Sequence, residues 1–141
     1  MIPEISISGG NFIGTIVEDV PGDEILGAGF RPLCHTVYPH QNLFRDFAVG
    51  LNFEHIMNGT AADREINKFT PRLDPRSVVS HTNNEASIVH RAEDSTWRIE
   101  SEMRYVIAEE NAIDMTFTVC LHEDRFPLGY AAFMWASYMN R

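Results

Sequence analysis

The chain has 141 residues, 44% hydrophobic and 22% charged, with a formal net charge of −9. That balance suits one globular domain over 1–141, whole or part of a longer protein, with enough chain for a core that needs no staples. The acidic excess, with Lys68 the only lysine and the arginines scattered, argues against nucleic acid and against an anionic membrane surface as partners.

The chain opens on Met1-Ile2-Pro3-Glu4, which lacks the basic start and apolar run of a signal peptide. A cytoplasmic protein is the simple expectation, and a secreted one follows if a leader is removed. No apolar run reaches the 18 residues of a membrane span. The two cysteines, Cys34 and Cys120, are expected to be free thiols.

Glu4–Ser8 alternates, with Ile5 and Ile7 inward, and Gly9-Gly10-Asn11 turns the chain into a returning strand over Phe12–Glu18. Pro21-Gly22-Asp23 is a turn signal. Arg31-Pro32 disfavours helix, and a short strand over Leu33–Tyr38 is expected to end at Pro39. His40–Asp46 reads as loop. Phe47–Met57 reads as a strand with Val49, Leu51 and Phe53 on one face. Asn58-Gly59 is a turn, and the sequon it forms with Thr60 reads as turn chemistry before glycosylation. Ala61–Lys68, behind a capping-box-like Thr60 to Asp63, is the sole helical candidate. Two prolines make Thr70–Arg76 a loop, and Ser77–Thr82 with Ala86–Ala92 flank the turn Asn83-Asn84.

The strongest pattern follows. From Thr96 to Glu109 the positions Trp97, Ile99, Ser101, Met103, Tyr105 and Ile107 alternate with Thr96, Arg98, Glu100, Glu102 and Arg104. From Ala112 to Glu123, Ile113, Met115, Phe117, Val119 and Leu121 alternate with Asp114, Thr116, Thr118, Cys120 and His122. Strict period two on both sides of a short polar link predicts a long hairpin with one apolar face. Such a face needs a second layer. Arg125–Gly129 is a turn. Tyr130–Met139, apolar or aromatic on both faces, suits a strand covered on both sides or one helical segment of the core, and its aromatic content favours the strand. Strands every 8–14 residues predict an all-β antiparallel sandwich, jelly-roll or large double sheet, with at most one short helix.

The polar face of the long hairpin carries the candidate chemistry. Centring the turn near Glu110 brings Arg98 near His122 and Arg104 near Thr116. Carboxylates, arginines and a histidine on a rigid sheet suit the hydroxyls of a sugar, and two carboxylates suit acid and base roles on it. Glu100, Glu102 and His122 are the candidate catalytic residues, and Arg98, Arg104 and Asp114 the candidate ligand contacts. The competing reading of the same residues is a solvated face laced with cross-strand ion pairs. The six histidines match no metal-ligand spacing, so neither a metal nor a cofactor is expected. Cys34 beside His35 is no nucleophile pair, because neighbours on a strand face opposite ways.

Gly50-Leu-Asn-Phe-Glu-His-Ile-Met-Asn-Gly59 and Arg125-Phe-Pro-Leu-Gly-Tyr-Ala-Ala-Phe-Met-Trp-Ala-Ser-Tyr-Met-Asn140 resemble uncharacterised bacterial β-sandwich proteins. Those in turn are similar to the large sandwiches of the galactose mutarotase type. The resemblance covers about a third of the chain and implies carbohydrate chemistry on a concave sheet face, with a histidine and a glutamate as acid and base. It assigns neither role to a numbered residue here. The chain is about half the length of such a sandwich, which fits a fragment, a minimal sandwich or a dimer. The resulting expectation is a carbohydrate-interacting sandwich whose partner is a small-molecule saccharide. The alternative is a non-enzymatic assembly domain that forms a homo-oligomer through the apolar Tyr130–Met139 strand.

Overall fold

The computed structural model of the chain describes residues 3–18, 27–60 and 70–140. β1 (Glu4–Gly9), β2 (Phe12–Val17), β3 (Gly29–His35) and β4 (Tyr38–Asn42) form one antiparallel sheet in that order. β5 (Asn52–Met57) belongs to a second sheet. β6 (Ser77–Thr82), β7 (Glu85–His90), β8 (Ile99–Glu109) and β9 (Ala112–Leu121) form the third, again in order, and β10 (Ala132–Ala136) returns to pair with β5. The fold is an all-β antiparallel sandwich with no helix among the described residues. The segment Ala61–Lys68, where a helix is expected, lies outside them.

β8 is the central strand of the large sheet, and its burial alternates as its sequence does. Ile99, Ser101, Met103, Tyr105 and Ile107 are all buried, while Glu100, Arg104 and Ala108 are exposed and Glu102 and Val106 half-buried. Successive side chains leave opposite faces of a strand, so a period of two in polarity becomes one dry face and one wet face. The dry face packs on Ile7, Ile16, Phe30 and Leu33 of the first sheet. Phe30 meets Tyr105 edge-on, 5.2 Å between ring centroids. The tips of the two layers are tied by backbone, with Ser8 N–H donating to the Asn83 carbonyl and Asn11 N–H to that of Glu110.

The hairpins Glu4–Glu18 and Ser77–Ala92 stand close to their expected bounds. The long hairpin is shorter than expected, its first strand beginning at Ile99 rather than Thr96 because Arg98 takes a positive φ of 55°, and its second ending at Leu121 rather than Glu123. Three further segments differ from expectation. First, β3 begins at Gly29 and runs through Pro32, and Tyr38–Asn42 is an edge strand where a stop at Pro39 and a loop are expected. Pro32 falls where the β2–β3 register shifts between Gly14 and Ile16, and Pro39 lies on the outer strand. Both are places where a missing N–H leaves the ladder intact. Second, the expected strand Phe47–Met57 is two pieces. Gly50 exchanges backbone hydrogen bonds with Phe30, Leu51 takes a positive φ of 51°, and only Asn52–Met57 pairs with β10. The chain changes sheets at Leu51, which an apolar pattern does not reveal. Third, β10 is covered unequally on its two faces. Phe133 and Trp135 pack with Phe53 and Phe117, whereas Met134 is 37% exposed and Tyr130 and Tyr138 are half-exposed.

Asn58 turns the chain with its own side chain, its Oδ1 accepting from Thr60 N–H (2.9 Å) and Thr60 Oγ1 (2.8 Å). Both cysteines are free, Cys34 buried and Cys120 exposed.

Replacing Met103 by Asp places a carboxylate at a site 1% exposed and is expected to abolish cooperative thermal unfolding. Glu102→Gln, on the wet face, is expected to melt within a few degrees of the parent. A normal melting curve for Met103→Asp contradicts the face assignment. Tyr105→Phe removes the donor to the Leu51 carbonyl (2.7 Å) and is expected to cost about 1–2 kcal/mol in denaturant titration.

Candidate functional site

The outer face of the large sheet follows from register. β8 pairs with β9 so that Glu100 faces Cys120, Glu102 faces Thr118 and Arg104 faces Thr116, with Val106 facing Asp114. On the other side Ser87 faces Arg104 and Val89 faces Glu102. Residues 85, 87, 89 and 91 therefore share a face with 100, 102 and 104.

Between these rows lies a shallow groove of about 400 Å³ lined by Val89, Arg91, Glu93, Glu100, Glu102, Thr118 and Cys120, with Ser101 in its floor. Of the six expected site residues, Glu100 and Glu102 line it together. His122 joins at one end, its Nε2 3.6 Å from Glu100 Oε2. The other three stand apart. Arg98 precedes the first residue of β8 with a positive φ of 55°, and its guanidinium donates to the carbonyls of Glu93 (2.7 Å) and Ala92 (3.4 Å). Its backbone does meet His122, whose N–H donates to the Arg98 carbonyl (3.0 Å). Arg104 forms an ion pair with Glu85. Asp114 faces Val106, four residues along β9 from Thr118, or roughly 13 Å.

Glu102 is held from below. Ser87, fully buried, donates from Oγ to Glu102 Oε1 at 2.6 Å, and His81 Nε2 lies 2.8 Å from the same Ser87 Oγ. The hydroxyl sits between the imidazole and the carboxylate, so it positions the carboxylate and is closed to a substrate. Ser87, His81, Arg91 and Glu93 are site residues that the hairpin pattern alone misses. The signal for Ser87 and Arg91 is the same period of two carried across to β7. His81 sits within the register shift between Ser80 and Thr82 and is visible only in three dimensions.

Comparison of the chain with protein-family models, with curated proteins and with solved structures finds no match in any of the three.

Among the described residues no group of three or more His, Cys, Asp or Glu lies close enough to hold a metal ion. The interior is nevertheless polar around the loop 70–76. Arg72 and Glu54 form a buried ion pair at 2.9 Å. Asp74 accepts from Thr96 N–H (3.1 Å) and Thr96 Oγ1 (2.6 Å), and burial raises its carboxyl above the usual range despite those bonds. The Trp97 indole N–H donates to Thr70 Oγ1 (3.1 Å), and the indole stacks on Phe126. These contacts anchor the loop beneath β5 and the approach to β8.

Directly behind the groove, His90 points inward opposite Ser101, its Nδ1 3.4 Å from Ser101 Oγ and its ring edge-on to Phe53. Burial, with the Arg76 guanidinium adding to it, pushes this imidazole down from 6.5 to about 4. An unfolded chain takes up the proton near 6.5 and the folded one only near 4. Stability is thus full above pH 6.5 and is lost as pH falls through that window, by about 3 kcal/mol. Urea titrations between those pH values are expected to show the slope, and His90→Gln to flatten it. Equal slopes for the two proteins contradict the assignment.

Proposed function

We propose that this protein binds a saccharide in the groove of the β7–β9 outer face. The observation that carries the reading is the groove's lining, in which an arginine, three carboxylates and a threonine hydroxyl converge on one rigid sheet surface. Hydroxyl-rich ligands ask for alternating donors and acceptors at fixed spacing. Arg91 supplies donors, Glu93, Glu100 and Glu102 supply acceptors, and Thr118 supplies both. Its volume of about 400 Å³ suits a small ligand. Ser87 and His81 below Glu102, and His122 beside Glu100, hold the carboxylates in place before a ligand arrives.

Binding is favoured over glycosidic cleavage. A hydrolytic pair flanks the scissile bond, whereas Glu100 and Glu102 rise from the same side of one strand, about 7 Å apart along it. His122 and Glu100 remain the pair through which a proton would move if the site turns over a sugar.

Melting-temperature screens against mono- and oligosaccharides, followed by calorimetric titration, test the reading. A ligand at about 100 times its Kd adds roughly 2.7 kcal/mol, which appears as a rise of several degrees. Glu100→Ala and Arg91→Ala are each expected to weaken binding about tenfold or more. Arg104→Ala, outside the groove, is expected to leave affinity within about twofold. No saccharide shift, or an affinity that Glu100→Ala with Arg91→Ala leaves unchanged, overturns it.

A further inference from the structure

β9 is an edge strand of an unusual kind. It pairs only with β8 among the described strands, and its ten residues run from Ala112 to Leu121. The ladder is unbroken from Ile99–Leu121 to Val106–Asp114. It contains no proline and no lysine, and its one charged side chain is Asp114. Soluble proteins protect long edges with just such residues or with bulges, and over this length β9 has only Asp114, near one end.

The direction of its free hydrogen-bonding groups follows from two bonds. His122 N–H donates to the carbonyl of Arg98, the residue just before β8, and Ile107 N–H donates to the Asn84 carbonyl on the β7 side. Antiparallel ladders alternate, so the even-numbered residues of β9 bond to β8. The N–H and C=O groups of Ile113, Met115, Phe117, Val119 and Leu121 therefore point to the open edge. The side chains of the same residues form the apolar face, where Met115 is 39%, Val119 38% and Leu121 53% exposed.

We propose that the protein forms a two-fold dimer in which β9 pairs antiparallel with β9 of a second copy, joining the two four-stranded sheets into one. The sequence of β9 is complementary to itself in the register centred on Phe117. Phe117 then faces Phe117, Met115 faces Val119 and Ile113 faces Leu121, all through outward-pointing backbone groups, for up to about ten hydrogen bonds. On the outer face Thr116 faces Thr118, and Asp114 faces Cys120. No like charges oppose one another, and the Thr–Thr and apolar pairs are favourable cross-strand partners. The dyad stands perpendicular to the sheet, so both polar grooves stay on one side of it. β10 is the poorer surface for assembly, since it has five residues and its register with β5 shifts between Met134 and Trp135. The inference does not depend on what the groove binds.

Sedimentation velocity over a concentration series tests it. The parent chain is expected to sediment at twice the chain mass at micromolar concentration. Val119→Pro removes an N–H that points only to the open edge, so it is expected to give a monomer with unchanged far-UV circular dichroism. Thr116 and Thr118 would face each other as a non-hydrogen-bonded pair, about 4.5 Å between Cα atoms, within reach of a disulfide. The variant Thr116→Cys/Thr118→Cys/Cys120→Ser is expected to form a covalent dimer on mild oxidation. A parent chain that stays monomeric at high micromolar concentration overturns the proposal. So does a dimer that survives Val119→Pro and fails to cross-link, which would place the interface at β10 or elsewhere.

Discussion

Tyr105 lies wholly inside the sandwich, its ring edge-on to Phe30 of β3 and its hydroxyl donating to the carbonyl of Leu51 where the chain enters β5. One side chain of β8 thus touches the first sheet and the residue that leads into the second. The buried hydroxyl requires a partner, and burial holds its proton firmly by raising the phenol further above its usual range. Leu51 has a positive φ, and its carbonyl is aimed inward at the point where the chain leaves Phe30 for β10. The change of sheet and the satisfaction of that hydroxyl are one event.

The large sheet keeps its two faces chemically separate because β8 has neighbours on both edges. Its inner residues are dry, and its outer residues are met by partners from β7 and β9. Glu102 has Ser87, Arg104 has Glu85 and Glu100 has His122. Exposed ion pairs of this kind contribute little to stability, so the layout is better understood as one that fixes side-chain positions. The groove lies where that network leaves carboxylates and the Arg91 guanidinium facing solvent together. Behind it, His90 stays neutral against Phe53, which keeps the wall between groove and core free of charge.

β9 shows what happens when the same sequence pattern meets a different place in the sheet. It alternates as cleanly as β8, and its apolar face lies on the same side. Phe117 finds cover from Phe53, Phe133 and Trp135. Val119 and Leu121 extend past that cluster and remain exposed. An edge position removes one flank of neighbours, so equal alternation yields unequal burial.

Much of the fold was legible in the residues. The period of two in 99–107 and 113–121 determined the hairpin, its dry face and the pairing of Arg104 with Thr116, because side-chain direction on a strand is a local property, whereas the same alternation at Thr96–Arg98 lies outside β8. The turns at Gly10, Asn83-Asn84 and Glu110-Asn111 were legible for the same reason. Alternation within a strand also picked out Glu100 and Glu102 as neighbours on one face. Tertiary structure alone decided that Arg98 turns its guanidinium away to the carbonyls of Ala92 and Glu93, that Ser87 and His81 hold Glu102, and that the strand 47–57 divides at Leu51. It also decided that Tyr130–Met139 buries mainly the face of Phe133 and Trp135 and leaves Tyr130, Met134 and Tyr138 exposed. Each of these depends on which strand lies alongside, and that is set by long-range packing, which no local period encodes.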